Sequence, residues 1–458
     1  MSPCEALLQQ KGDATVDFLN LLLQEYAVTS NGFLPEVVPL DRLPDPYYSP
    51  WESLAESLSD YLEDRTLRSR VDQLPVLSAE HLASEAEWRR ACVILGFLTH
   101  AYIWGGEKAA EILPPSITVP LLSVSSHLGI PPVATYASVN LWNFRTTNPT
   151  LDLTDLDSVH ALHTFTGTED ESWFYMVSVA MEAQGAYIIP VMLQALEAVA
   201  RRDYATITRS LAELAACIRK LGLLLDRMDE KCNPSVFYHR IRPFLAGSKN
   251  MASAGLPCGV FYDEGHGKGQ WRQLRGGSNG QSSLIQFLDI ALGVEHAAHG
   301  NGSPDKVAAR GGEAGGKEMS FHQEVRAYMP EPHRRFLQHV TESYPGGMRK
   351  GVVELGEAAA GAASEELLAL QEAFQTATNA LAEFRNKHLQ MVARYIIIPS
   401  RQPNEERSVN LATASSRMKT SSEVEGRRGG ELTGTGGTAL LPFLKQSRDE
   451  TFRAGELR

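Results

Sequence analysis

The chain is poor in cysteine, in positive charge, in long apolar runs and in strand-like alternation, and each shortage excludes something. Its five cysteines (Cys4, Cys92, Cys217, Cys232 and Cys258) are scattered, with no CxxC pair. A disulfide framework and a zinc ribbon are therefore excluded, and a reducing compartment is expected. Acidic residues outnumber basic ones, 55 to 43, for a formal charge of −12. Nucleic-acid binders need basic patches, so no nucleic-acid partner is expected. No stretch reads as the ~18 apolar residues of a membrane span. The opening MSPCEALLQQKGD lacks the basic start and apolar run of a secretory signal. The expectation is a cytoplasmic protein, monomeric, bound neither to membrane nor to nucleic acid.

What the chain does have is helical period. At 43% hydrophobic it can bury large cores, and its length favours two or three domains of roughly 150 residues. Residues 31–50 carry prolines without period and are predicted to run extended over a surface. Trp51 to Ile112 reads as helical. The clearest helix is Ser84 to Ile103, where Trp88, Ala91, Cys92, Leu95 and Leu98 recur at i, i+3, i+4. Pro114, Pro115 and Pro120 are predicted to end this section. Residues 150–170, with Asp152, Asp155, Asp157 and Gly167, read as a domain connector. Ser172 to Ala200 is long and apolar, with a kink or break at Pro190. Ala205 to Asp229 and Leu284 to His299 are predicted amphipathic helices, and Ser364 to Pro399 a long helical run. Residues 299–319 and 400–431 are polar, without period, and predicted to be disordered insertions. The fold class is mostly α, with a smaller, mainly helical domain over 1–158 and a large helical domain over 159–458.

His388 is the most informative residue. Counting back in sevens gives Leu381, Phe374 and Leu367, and forward Tyr395, so the imidazole lies on the core-facing stripe of a helix. A hydrogen-bonded core histidine is the commoner case. A metal with a single protein ligand suits haem, whereas zinc and non-haem iron take three or four. Arg385 shares that face and suits either a haem propionate or solvent. In the segment 233–244, Phe237 and Tyr238 suit an aromatic wall. Arg242 suits a bidentate carboxylate partner, or a solvated helix face. The loop Gly276-Gly277-Ser278-Asn279-Gly280-Gln281-Ser282-Ser283 lacks the lysine of a nucleotide phosphate loop. Its helix N-terminus suits a propionate, a carboxylate or an ordinary turn. Gly434-Thr435-Gly436-Gly437-Thr438 reads as a lid or a linker. His296 and His299 share a helix face but abut a polar insertion, and are predicted to be solvated.

These motifs occur in one order: the Phe237–Arg242 segment, GGSNGQSS, Tyr328-Met329-Pro330-Glu331-Pro332-His333-Arg334, Arg385-x-x-His388-Leu-Gln and GTGGT. So ordered, from about Leu34 to Leu444, the chain resembles the indoleamine 2,3-dioxygenases, and its polar insertions resemble those of microbial, fungal-type members. The resemblance implies a large all-helical domain holding haem b, with the N-terminal domain roofing the distal pocket. It implies a dioxygenase that inserts both atoms of O2 across the indole C2–C3 bond of L-tryptophan, giving N-formylkynurenine on the kynurenine route. Other indoleamines are implied as further substrates. His388 falls on the proximal haem ligand, Arg385 on the propionate arginine, and Asp289 on its acidic companion. Ser278 and Gly280 fall in the cofactor-binding loop. Ser178 falls on the distal serine, Phe237 on the residue packed against the indole, and Arg242 on the arginine for the substrate carboxylate. Phe174 and Tyr136 match pocket-wall residues, and Thr438 the loop that closes over substrate. The implied pocket has no protein acid or base.

Four positions depart from the pattern. Tyr238 follows Phe237 where phenylalanine is frequent, Arg240 adds a charge, and Val139 stands where some animal members have cysteine. Ser248 stands where tryptophan is expected, which predicts looser packing behind Arg242. Two other classes fit the same features: a haem-binding O2 carrier or sensor of this fold with weak or no tryptophan oxidation, and a haem-free helical interaction protein.

Overall fold

In the computed structural model, residues 23–296, 321–359, 364–401 and 440–457 are described. The polar segments 299–319 and 402–431, and the glycine-threonine element with Thr438, lie outside the described residues. The N-terminal part is built from α1 (Ser49–Glu56), α2 (Leu58–Glu63), α3 (Leu67–Asp72), α4 (Glu85–Trp104) and α5 (Pro115–Leu128). Ser84 opens α4 with a reciprocal cap. Its hydroxyl accepts from the Glu87 N–H, while the Glu87 carboxylate accepts from the Ser84 hydroxyl and the Ala83 N–H. Helix α5 corrects an expectation, because the prolines at 114, 115 and 120 do not end the helical section. Pro115 stands in the first turn, where an N–H has no helical partner anyway. Pro120 loses one helical bond, and burial of Ile117, Leu121, Val124 and Leu128 on the same helix outweighs that.

Strands are few and short. They are β1 (Ile112–Leu113), β2 (Phe144–Thr146), β3 (Val159–Ala161), β4 (Val260–Gly265) and β5 (Lys268–Arg272). β1, β4 and β5 form one small sheet in that order, parallel then antiparallel, and β2 pairs antiparallel with β3.

The long apolar stretch divides into α6 (Glu169–Gly185) and α7 (Ile188–Arg201). The break falls just before Pro190, which sits in the first turn of α7, where its missing N–H costs nothing. Glu169–Arg201 is nevertheless long and apolar enough to cross a membrane, contrary to the sequence reading, and two thirds of its most apolar window is buried in the protein. It is a core segment. Next come α8 (Tyr204–Asp226), α9 (Met228–Lys231), α10 (Pro234–Val236), a π-turn over Phe237–Ile241 and α11 (Arg242–Leu245). Then follow α12 (Ser283–Leu292), α13 (Phe321–Arg326), α14 (Glu331–Ser343) and α15 (Gly347–Ala358). The chain closes with α16 (Glu365–Val392), a π-turn over Ala393–Ile397, and α17 (Leu440–Ala454). Helix α12 stops short of the expected His299. Gly293 ends it at φ +78°, and a Cβ there would lie 2.1 Å from the Gly346 carbonyl.

Among the described residues two large hydrophobic clusters fill the interior, beside a small third one of Phe321, Val325 and Phe443. One gathers α1, α4 and α5, the buried face of α6, and Met391 and Tyr395 beyond. The other gathers residues 23–33 with α7, α8, α12, α14, α15 and most of α16. The clusters do not follow a cut at residue 158, since α6 joins the first and residues 23–33 the second. Helix α16 lies along α8 and under α17, so His388 faces inward.

Three buried histidines make the fold acid-sensitive. His100 bonds the Phe244 carbonyl through Nδ1 and accepts the Ala134 N–H at Nε2, which fits the neutral ring. Burial pushes it down to about 4, and pushes His163 and His333 down to about 3. A histidine whose folded pKa is depressed contributes stability that is present above pH 6.5 and lost as pH falls toward the folded value. At pH 5 the loss is about 2 kcal/mol per histidine. The thermal midpoint is expected to drop clearly between pH 7.5 and 5, and less in His163→Phe. A midpoint that stays level over that range rules the account out.

Candidate functional site

A cavity of about 260 Å³ opens between α6, the residues around Tyr136–Asn140, the 237–245 segment, the 277–282 loop, α16 and α17. Most of its lining area is apolar. On one wall the Phe174 and Phe237 rings stand 4.8 Å apart, and Phe237 meets Tyr395 edge-on at 5.7 Å. Helical spacing on α6 aims Phe174, Ser178 and Glu182, four residues apart, at this space.

Ser364 caps α16 through the Leu367 N–H, and the stripe Leu367, Leu370, Phe374, Leu381 is buried. That fixes the helix rotation and brings His388, Arg385 and Phe384 to the cavity wall. Burial, and then the Arg385 charge, push the His388 imidazole down to about 4, and no hydrogen bond enters that balance. The ring is neutral at pH 7 and offers a lone pair to the cavity.

Arg385 is buried rather than solvated. Its guanidinium grips Asp289 with two bonds of 2.6 and 2.7 Å and donates to the Thr451 hydroxyl. Arg242 is 3% exposed and also lines the cavity. Its guanidinium carbon lies 5.5 Å from the Tyr238 ring centroid, and burial lowers its pKa. In the loop, Ser278 turns back to accept the Gly280 N–H at 3.3 Å, and Ser282 caps α12.

Tyr136, Phe174, Ser178, Phe237, Arg242, Ser278, Gly280, Arg385 and His388 thus all line one cavity, and Val139 with them. Asp289 stands behind Arg385. Thr438 lies outside the described residues.

Two readings need correction. The cavity wall does carry ionisable groups, Glu182 and His322. Glu182 accepts from the Tyr136 hydroxyl at 3.0 Å and from Ser282 at 2.7 Å, its other oxygen is buried without a partner, and burial raises it to about 7. Spacing of four from Ser178 could have revealed it, whereas His322 arrives only through tertiary packing. His296 is not solvated. It is held between Asp289 and Glu450, while His299 lies outside the described residues. The Ser248 hydroxyl bridges the Arg272 carbonyl and the Leu274 N–H, each at 3.1 Å. Arg240 points to solvent rather than to the cavity.

The described residues therefore define a mostly helical protein around a largely apolar cavity with two imidazoles, His388 and His322, and two buried guanidinium groups in its wall. The sequence profile of the indoleamine 2,3-dioxygenases matches residues 22–454. The indoleamine 2,3-dioxygenase of Saccharomyces cerevisiae is 40% identical over 95% of this chain and 94% of its own length. An indoleamine 2,3-dioxygenase of Penicillium citrinum is 38% identical over 95% and 89%. The indoleamine 2,3-dioxygenase 1 of Mus musculus is 32% identical over 91% of each. The chain belongs to the indoleamine 2,3-dioxygenase family, whose members are oxidoreductases.

Proposed function

We propose that the protein binds haem b through His388 and converts L-tryptophan and O2 to N-formylkynurenine, the first step of the kynurenine route. The observation that carries this is the His388 imidazole, held neutral on the wall of a largely apolar cavity. A neutral imidazole, an apolar slot and a nearby guanidinium at Arg385 fit a haem with its propionates. Ser278 and Gly280 border the same space and would flank the cofactor. Haem b, when bound, supplies the iron at which dioxygen is activated.

The chain's own residues position and dehydrate the substrate. Arg242 holds the amino-acid carboxylate through paired N–H donors. Phe237 and Phe174 pack the indole, and Tyr136, Val139 and Ser178 close the cavity around it. Desolvation of the ring and fixed orientation are the contributions asked of the protein. Glu182 accepts from the Tyr136 and Ser282 hydroxyls and keeps that wall in place. The same reading takes Thr438 as part of a closing loop, residues 1–158 and 159–458 as two domains, and the protein as a cytoplasmic monomer. The four described cysteines are free, which suits a reducing compartment.

The test is the absorbance of haem-supplemented protein with reductant and L-tryptophan. A Soret band with growth of the N-formylkynurenine band supports the reading. A Soret band without product favours a carrier or sensor, and no Soret band removes the haem assignment.

A further inference from the structure

Behind Arg385, and reaching the cavity wall at His322, lies a chain of alternating charge drawn from four helices and the segment after α12. Arg385 of α16 grips Asp289 of α12. His296, four residues past the end of α12, meets Asp289 through Nε2 at 3.1 Å and Glu450 of α17 through Nδ1 at 2.7 Å. The His322 ring of α13 stacks on His296, centroids 3.8 Å apart and 12° from parallel, with Nε2 3.4 Å from the Ser447 hydroxyl of α17. The side chains of Asp289, His296 and Glu450 are all nine-tenths or more buried.

Both ring nitrogens of His296 face carboxylate oxygens. A neutral imidazole has one N–H and one lone pair, so it can satisfy only one of them, and its lone pair would confront the other anion. The imidazolium satisfies both. Asp289 and Glu450 carry two negative charges and Arg385 one positive. Among Asp289, Glu450, Arg385 and His296 the charges sum to zero when the His296 proton supplies the second positive charge.

We infer that His296 and Glu450 are positioning residues for Arg385, the protonated His296 balancing the charge so that Arg385 can also receive an anionic haem propionate. This rests on the haem reading above. With neutral His296 the group carries −1 before any propionate arrives, and Arg385 is drawn to Asp289. With His296 protonated, Asp289 is shared between two cations. Among the described residues, the charged groups facing this cluster include Asp289, Glu450, Arg385, the stacked His322, and Arg326, whose charge acts on Asp289. The Asp289 carboxylate raises His296 against the effect of burial.

Asp289, His296 and His322 also place three ligand atoms within 4.8 Å of one another, close enough for a divalent cation. The face-to-face stacking of the two rings argues against it. Imidazoles that share a metal direct their lone pairs to one point, whereas parallel stacked rings direct them side by side. Arg385 already occupies both oxygens of Asp289 as well.

The experiment uses the holoenzyme and follows haem loss to an excess of a haem-scavenging apoprotein at the Soret band, from pH 6 to pH 9. In the wild type the loss is expected to accelerate by about tenfold or more as pH rises, a change of about 1.4 kcal/mol. His296→Gln is expected to lose haem rapidly already at pH 6, with little pH dependence. Glu450→Gln should act in the opposite sense, because with that charge gone the group is neutral without the His296 proton. Its haem loss at pH 9 stays slow. A strut without a charge role would accelerate haem loss in both variants, and that outcome overturns the inference. So does a wild-type rate that is level with pH. If a chelator speeds haem loss in the wild type and pH does not, the site is a cation site and the proton reading is wrong. A protein that shows no Soret band sinks the proposed function and this inference together. A normal Soret band with unaltered loss from His296→Gln sinks only the inference.

Discussion

His388→Ala is expected to abolish the Soret band and dioxygenase activity together while the fold survives. The side chain lies on the cavity wall. Among the described residues its ring has no hydrogen-bond partner to orphan, and such orphaning is the usual route to a large loss of stability. The stripe that seats α16, from Leu367 to Leu381, is untouched. Far-ultraviolet circular dichroism should match the wild type, and the thermal midpoint of haem-free protein should shift little. Exogenous imidazole, which can enter the space the side chain leaves, should restore part of the Soret band. Stoichiometric haem in the variant would show that the ligand is another residue.

Arg242→Ala is expected to leave haem in place and to lower kcat/KM for L-tryptophan by about 10²–10³-fold, or about 3–4 kcal/mol. Arg242 is almost wholly buried beside Tyr238, and the cost of its desolvation appears as a lowered pKa. A buried cation of this kind gains most from a carboxylate that reaches it out of water. Most of the loss should appear in KM, because the carboxylate is bound before the ring reacts as well as during reaction. Arg242→Lys should recover little, since an ammonium is a point donor and cannot match two carboxylate oxygens in one plane. Unchanged KM in the alanine variant would move the carboxylate site elsewhere, with Arg385 the remaining cavity guanidinium.

Both predictions concern residues that stand out in the amino-acid sequence itself, and the reason is local. His388 and Arg385 lie on a helix whose apolar stripe fixes its rotation, so a count in sevens finds the inward face. Phe237 and Arg242 sit in a compact aromatic-basic segment. Ser178 on α6 could have led to Glu182 by the same helical arithmetic, but a carboxylate on an otherwise apolar helix reads as an exposed interruption until its neighbours are known. Pro115 misled for a related reason. It sits in a first helical turn, where a missing N–H costs nothing, as Pro190 does just after its expected break, and only the position of the preceding break shows that.

By itself the sequence determined the mostly helical class, the helix starts at Ser84 and Ser364, the inward face of α16, and membership of the indoleamine 2,3-dioxygenase family. Periodicity and capping act within a turn or two, so the chain carries them openly. Only the tertiary structure decided that His296 is caged between Asp289 and Glu450, that His322 stacks on it, and that Ser248 bridges two backbone groups. Those arrangements join residues from 7 to more than 150 positions apart. The charge of a buried imidazole depends on which carboxylates packing brings to its two nitrogens, and no local pattern encodes that.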